Sequence, residues 1–222
     1  DDEYFKLSQD SVLLGAFAKV RRKERVLDLG CGVGVLAIMA LLRNPGCTAC
    51  GLEITPGAAE LARQNLELCG LSDRGGIVCG DMRDMPRGLI GHFDVCISNP
   101  PYFHPERGFS SPSAAMAAAR NQSCGGISDV CAAAASCLKW GGRFYLCYPP
   151  GDLSPLFAAL LQNRLEPKTM RLVFPTETSH PCLVLIEARK GGGVHLDILP
   201  SLIIEKDGQK TSEFKKMYTL ED

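Results

Sequence analysis

The sequence predicts an α/β fold built on a mainly parallel sheet with helices on both faces. Three observations predict it. Short apolar runs at residues 25–30, 49–53, 76–80 and 93–98 alternate with segments of helical apolar spacing, which is the rhythm of strand, crossover helix and parallel strand. The first run enters a glycine-rich turn, Gly30-Cys31-Gly32-Val33-Gly34, of the kind that takes a strand tightly into a helix. Polar residues stand at the four strand ends: Asp28 with the glycines, then Glu53, Asp81 and Asn99. In an open parallel sheet those carboxyl ends line one crevice at the topological switch point, where ligands bind.

At 222 residues the chain accommodates one such domain with a full core and little more. A hydrophobic share of 45% against 22% charged residues is that of a globular protein. The formal net charge of −1 argues against a uniformly basic coat for nucleic acid, though not against a local basic patch. The longest strongly apolar run, residues 33–42, is too short to span a bilayer. No signal peptide is read ahead of the first residue, which is Asp1 rather than Met. The 11 cysteines are an odd number and mostly sit in apolar segments, where a thiol behaves as a small hydrophobe. Without a secretory signal this favours a reducing cytoplasm. Cys47 and Cys50, the close pair, open a strand on which positions three apart face opposite sides, and no second pair stands at zinc-ribbon spacing. No metal site is expected.

Taken in order, Ser8, Gln9, Asp10 and Ser11 offer caps for a helix through residues 12–18, and the charged residues 21–25 close an N-terminal helical segment, 1–23. Strand 25–30 and the glycine turn lead into a helix ending near residue 42. Strand 49–53 is followed by a helix over 56–69, with Pro56 in its first turn and Gly70 as its stop. After strand 76–80, residues 82–91 contain Pro86, Gly88 and Gly91 and make a loop or a ragged helical turn. The strand beginning at Phe93 leaves the sheet through Asn99-Pro100-Pro101-Tyr102, where each proline excludes the preceding residue from the α region and keeps the loop extended. Residues 104–126, rich in Ser, Pro, Ala and Gly, are expected to form a mobile flap over the site. Arg107 and Arg120 on it are candidates for phosphate contacts, and His104 is a candidate base. A helix over 127–138, a Trp140-Gly141-Gly142 turn in which Trp140 packs, a strand over 143–148, a helix over 153–162 and strands over 170–174 and 182–188 follow. The extension 191–222 holds an apolar strand-like piece at 199–204 and a charged end. No repeat or linker divides the chain, so 1–222 reads as a single domain.

The spacing Asp28-x-Gly30-x-Gly32-x-Gly34 departs from the dinucleotide fingerprint and points away from a nicotinamide cofactor. Glu53 lies at the offset, about twenty residues beyond a glycine turn, where an acid meets the two hydroxyls of a ribose. Asp81, at the third strand end, can accept from the amino group of an adenine in a nucleoside cofactor. The Asn99 side-chain oxygen, the Pro100 carbonyl and the Tyr102 ring together offer two acceptors beside an aromatic face, which suits a planar NH2 group. The lone pair of such an amine is delocalised. Hydrogen bonds from its two hydrogens favour a more pyramidal, nucleophilic nitrogen, without a metal or a strong base.

On these motifs the sequence resembles the class I S-adenosylmethionine-dependent methyltransferases, and Asn99-Pro100-Pro101-Tyr102 resembles the tetrapeptide of those that methylate an exocyclic or amide nitrogen. A closer resemblance, covering almost the whole chain, is to the bacterial tRNA1(Val) adenine N6-methyltransferases. It is carried by residues 10–14, 28–34 and 99–103, by Ala119-Arg120, and by residues 165–168 and 184–187. The chain departs from that pattern at Gln122, where relatives often have an acid, and at Cys182, where a polar residue is usual.

The resemblance implies a Rossmann-like class I methyltransferase fold, a mainly parallel seven-stranded sheet whose strand 182–188 inserts antiparallel. It implies S-adenosyl-L-methionine as cofactor, held by Asp28, Gly30, Cys31, Gly32, Gly34, Glu53, Ile54, Asp81, Met82 and Asn99. Catalysis falls to Asn99, Pro100, Pro101 and Tyr102. Substrate contacts fall to Asp10, Phe103, Arg107 and Arg120, and the acceptor is the N6 amino group of an adenine in tRNA next to the anticodon. Arg164, Lys168, Arg171, Lys190, Lys206, Lys210, Lys215 and Lys216 are the basic groups available for a stripe along the RNA phosphates. The same chemistry on a protein glutamine amide, another nucleic acid or a small molecule is the alternative, and a non-catalytic module binding cofactor or RNA is a third reading.

Overall fold

Val26, Leu27 and Leu29 are fully buried with their side chains on opposite faces of one strand, a position available only at the centre of a sheet covered on both sides. A computed structural model describes residues 8–100 and 126–219 and puts that strand, β1 (Arg25–Leu29), in the interior of the sheet, third from one edge. Beside it run β2 (Thr48–Glu53) and then β3 (Gly75–Cys79) on one side, and β4 (Phe93–Ser98) and then β5 (Leu138–Tyr148) on the other, all parallel. β7 (Leu183–Lys190) inserts antiparallel between β5 and β6 (Leu165–Thr176). This is the Rossmann-like order expected, with the reversal of strand order at β1 and β4.

The two faces separate by residue parity. Leu27, Leu29, Cys96, Phe144, Leu146, Val184 and Ile186 face α4 (Ile127–Cys137) and α5 (Leu153–Gln162). Val26, Val95, Ile97, Tyr145, Cys147 and Leu185 face α1 (Gln9–Phe17), α2 (Val35–Arg43), α3 (Pro56–Leu68) and the short α6 (Ser212–Met217). The same alternation puts Cys47 and Cys50 against opposite layers. The helix ends follow their local sequence. Ser8 caps α1 by accepting from the Ser11 N–H, and Pro56 opens α3, which stops before Gly70 at φ +67°. Among the described residues no helix is long and apolar enough to cross a membrane.

Ten strands, rather than seven, form the sheet among the described residues. The extension supplies the difference. β9 (Leu202–Lys206) pairs parallel to β6, and β10 (Gln209–Lys210) folds back on β9 through Asp207-Gly208, both at positive φ, as a tight hairpin turn requires. β8 (Asp197–Ile198) pairs with another part of β6. The edge that β6 would otherwise expose is thereby covered, and β10 adds a second antiparallel strand. Leu202, Ile204 and Phe214 of the extension are buried, and Arg43 of α2 donates to the carbonyls of Met217 and Thr219. Ile204→Val is accordingly expected to lower unfolding free energy by about 0.5–1.5 kcal/mol, as a buried methyl deletion does. Urea unfolding measures it, and no change would mean that the extension lies outside the cooperative unit.

Trp140-Gly141-Gly142 is a bulge inside β5 and not a turn ahead of it. Phe93 pairs with Leu138 but Val95 with Arg143, so the intervening residues of β5 loop out, with Gly141 at φ +79°. Trp140 packs its ring over Gly191, where a Cβ would lie 2.2 Å from it, yet remains 69% exposed. The expected flap lies outside the described residues except for Gly126.

Candidate active site

The crevice is built at the carboxyl ends of β1, β2 and β4. Gly30, Gly32 and Gly34 have φ of +72°, +53° and +85°, a region that side chains disfavour. The Gly30 and Cys31 N–H groups donate to Leu52 O at 2.9 and 3.0 Å, and Gly34 N to Cys31 O at 2.8 Å, which pins the turn against β2. A Cβ at Gly34 would come within 3.2 Å of the Ala62 Cβ, so α2 and α3 could not pack as they do. Among the described residues, a Cβ at Gly32 would meet nothing within 4 Å, and one at Gly30 would meet the end of the Met82 side chain at 3.8 Å. Among the described residues no side chain therefore crowds the backbone of the turn at Gly32, where a ligand could approach it closely.

Asp28 lies beneath it, 1% exposed. Its Oδ2 accepts from the Ala37 N–H at 3.0 Å, supplying from β1 the helix cap that Gly34 lacks on α2. Oδ1 is buried and has no hydrogen-bond partner among the described residues. Burial raises the carboxyl's pKa to about 7, opposed by the Ala37 hydrogen bond and aided by the charge of Glu53. A buried acceptor without a donor beside an open glycine turn is a place for a ligand's donor.

Glu53 closes the far side. Its Oε2 accepts from the Gly32 N–H at 2.8 Å and Oε1 from the Thr55 N–H at 2.9 Å. Each oxygen keeps further acceptor capacity for a ribose hydroxyl. Ile54 follows it, half-buried, and the Cys31 thiol is held neutral by burial and by the charges of Asp28 and Glu53. Asp81, at the end of β3, makes its contacts within its own turn. It caps a single turn of 3-10 helix, Met82–Asp84, and both its oxygens engage Arg83. That pairing lowers its pKa. An arginine two residues on in a tight turn reaches back bidentately, leaving Met82 and Ile54 as the apolar neighbours of the crevice.

Asn99 stands at the end of β4. Ser98 Oγ donates to Leu29 O at 2.8 Å and ties that end to β1 beside the glycine turn. The Asn99 Nδ2 donates to Ser11 Oγ at 3.1 Å and to Ser8 Oγ at 3.4 Å, and its Oδ1 accepts from the Cys147 thiol at 3.1 Å. Pro100 is buried. Pro101, Tyr102, Phe103, His104, Arg107, Arg120 and Gln122 lie outside the described residues. Asp10 is half-buried in the first turn of α1, its pKa raised by burial. Burial and, to a lesser degree, the charge of Asp10 raise the pKa values of Cys182 and Tyr218. The structure thus gathers Asp28, the glycines, Glu53 and Asn99 around one crevice.

Sequence reasoning missed Ser8, Ser11 and Cys147, the partners of Asn99 seen among the described residues. Ser8 and Ser11 read as helix caps and Cys147 as a core filler, and nothing in local spacing joins them to a residue so far along the chain. Several of the basic residues proposed for a stripe have partners. Arg171, Lys206 and Lys210 pair with Glu213, Glu177 and Glu205, and Lys190 donates to the carbonyls of Ala135 and Leu138 at the end of α4.

The family model of the methyltransferase small domain matches residues 7–148. Curated proteins of Yersinia pestis and Yersinia pseudotuberculosis, named tRNA1(Val) (adenine(37)-N6)-methyltransferase, are 40% identical over 101 residues, 45% of this chain. The chain spans 41% of the length of those relatives. Among solved structures, a protein of Agrobacterium tumefaciens described as a predicted O-methyltransferase superposes with a TM-score of 0.78 at 24% identity, covering 94% of each chain. Geranyl diphosphate C-methyltransferase of Streptomyces coelicolor, in complex with S-adenosyl-L-homocysteine, superposes with a TM-score of 0.57 at 17% identity over 82% of this chain and 78% of that one. At these identities the structural likeness is one of fold.

Proposed function

The chain belongs to the methyltransferase small domain family, and from that premise we propose that it transfers a methyl group from S-adenosyl-L-methionine to the N6 amino group of an adenine in RNA, in a tRNA next to the anticodon. The observation that carries this reading is the position of Asn99, at the end of β4 and tied by Ser98 to β1 beside the open glycine turn. The names of the Yersinia relatives supply the acceptor.

The residues present fit the cofactor. Asp28 Oδ1, without a partner among the described residues, and Gly32, where a Cβ would meet none of the described atoms within 4 Å, suit its amino-acid part, Glu53 its ribose, and Ile54, Met82 and the Asp81 backbone its adenine. When bound, this cofactor supplies an electrophilic methyl group on a sulfonium. Asn99 Oδ1 and the Pro100 carbonyl accept the two hydrogens of the acceptor's amino group, which turns its lone pair out of the ring plane. Holding nucleophile and methyl group in line contributes about 7–11 kcal/mol in well-oriented reactions. In this reading Tyr102 stacks on the extruded base, an interaction of about 1–3 kcal/mol, and the proton lost by the amine passes to solvent after the nitrogen–carbon bond forms.

The test is transfer of labelled methyl from S-adenosyl-L-methionine to unmodified tRNA, with DNA, protein and small-molecule acceptors alongside, followed by mass-spectrometric mapping. The expected product is N6-methyladenine in tRNA. Transfer to another acceptor alone would replace the substrate, and cofactor binding without any transfer would leave a binding module.

A further inference from the structure

We propose that Ser11, assisted by Ser8, is a positioning residue that sets which way the Asn99 carboxamide faces. The inference rests on the proposed function for its kinetic consequence and on hydrogen-bond geometry for its structural one. The Ser8 hydroxyl accepts from the Ser11 N–H at 3.1 Å and donates its proton to Ser11 Oγ at 3.0 Å. Ser11 Oγ and Ser8 Oγ then both present lone pairs to Asn99, which meets them with Nδ2 at 3.1 and 3.4 Å. On the other side, the buried Cys147 thiol donates to Oδ1 at 3.1 Å.

The reversed carboxamide is disfavoured twice. Oδ1 would face the Ser8 oxygen, whose proton is already committed to Ser11, and could accept from the Ser11 hydroxyl alone. Nδ2 would exchange hydroxyl acceptors for a thiol sulfur, a weak acceptor. An acceptor amine needs the oxygen end of Asn99, so a carboxamide free to reverse would often present hydrogens to hydrogens. The first turn of α1, 88 residues upstream, therefore determines whether the end of β4 offers an acceptor in a fixed place.

Ser11→Ala tests this better than Ser8→Ala, which also removes the cap of α1. In protein carrying nitrogen-15 in its asparagines, the Asn99 side-chain signal, assigned by its loss in Asn99→Ala, is expected to shift and exchange with solvent faster in Ser11→Ala and to keep its behaviour in Ser11→Thr. In transfer assays Ser11→Ala is expected to lose about 10–100-fold in kcat, the scale of a misplaced reacting group. KM should change little, and Thr should restore the rate. In an Asn99→Ala background the same substitution should cost nothing further, since the two act through one bond. An unaltered Asn99 signal in Ser11→Ala, or a wild-type kcat, overturns the proposal. An altered signal in a protein whose wild-type form methylates no amine supports the positioning and overturns the proposed function alone.

Discussion

Asn99→Ala is expected to lower kcat for methyl transfer about 10²–10³-fold, the range found when one preorganised hydrogen-bonding group is removed from the site of developing charge. The group lost is the acceptor that draws the amine's lone pair out of conjugation, so the loss belongs to the chemical step. Cofactor affinity, measured by calorimetry, should fall far less, because Asp28, the glycine turn and Glu53 are intact. The substitution also leaves Ser11 and Cys147 without their Asn99 partner, and a decrease of about 1 kcal/mol in stability per lost hydrogen bond is expected alongside. Full activity in this variant would remove the role assigned to the end of β4.

The second large effect concerns Asp28. Its folded pKa, raised to about 7 from 3.8, means that between those values the folded protein retains a proton that the unfolded chain has released. The resulting stability is fully present below the unfolded pKa and is lost as pH rises through about 7. At about 1.4 kcal/mol per pKa unit the difference reaches about 4 kcal/mol. Urea unfolding of the cofactor-free protein between pH 4 and 8 should show Asp28→Asn flattening that part of the profile. On the proposed function, the ammonium of the cofactor's amino-acid part favours the charged carboxylate, so uptake near pH 6–7 should release a proton. Calorimetry in buffers of different ionisation enthalpy detects it. Asp28→Asn should abolish the release, and a wild-type protein that binds cofactor without it would exclude Asp28 from the ammonium's surroundings.

The extension covers the β6 edge of the sheet, and Lys206, Lys210 and Arg171 are paired with acids. Its acids are spaced among its lysines, and once β9 and β10 form, Glu205 and Glu213 lie within reach of Lys210 and Arg171. Charges paired in this way attract phosphate weakly, since the polyanion must displace a partner already in contact.

Chain order and residue type are enough to read the central strands and what stands at their tips. A strand buried on both faces must be a short continuous apolar run, and a polar residue at its carboxyl end projects into the crevice of a parallel sheet. Asp28, Glu53 and Asn99 were legible for that reason, as were Pro56 and Gly70 at the ends of α3. Local pattern cannot distinguish a bulge from a turn at Gly141-Gly142, because both need a glycine at positive φ. It also cannot place β9, since an edge strand is recognised by what it pairs with. Packing alone brings the first turn of α1 and Cys147 of β5 against Asn99. These contacts depend on how layers meet in space, and a chain of covalent neighbours carries no record of distances between residues that folding first makes adjacent.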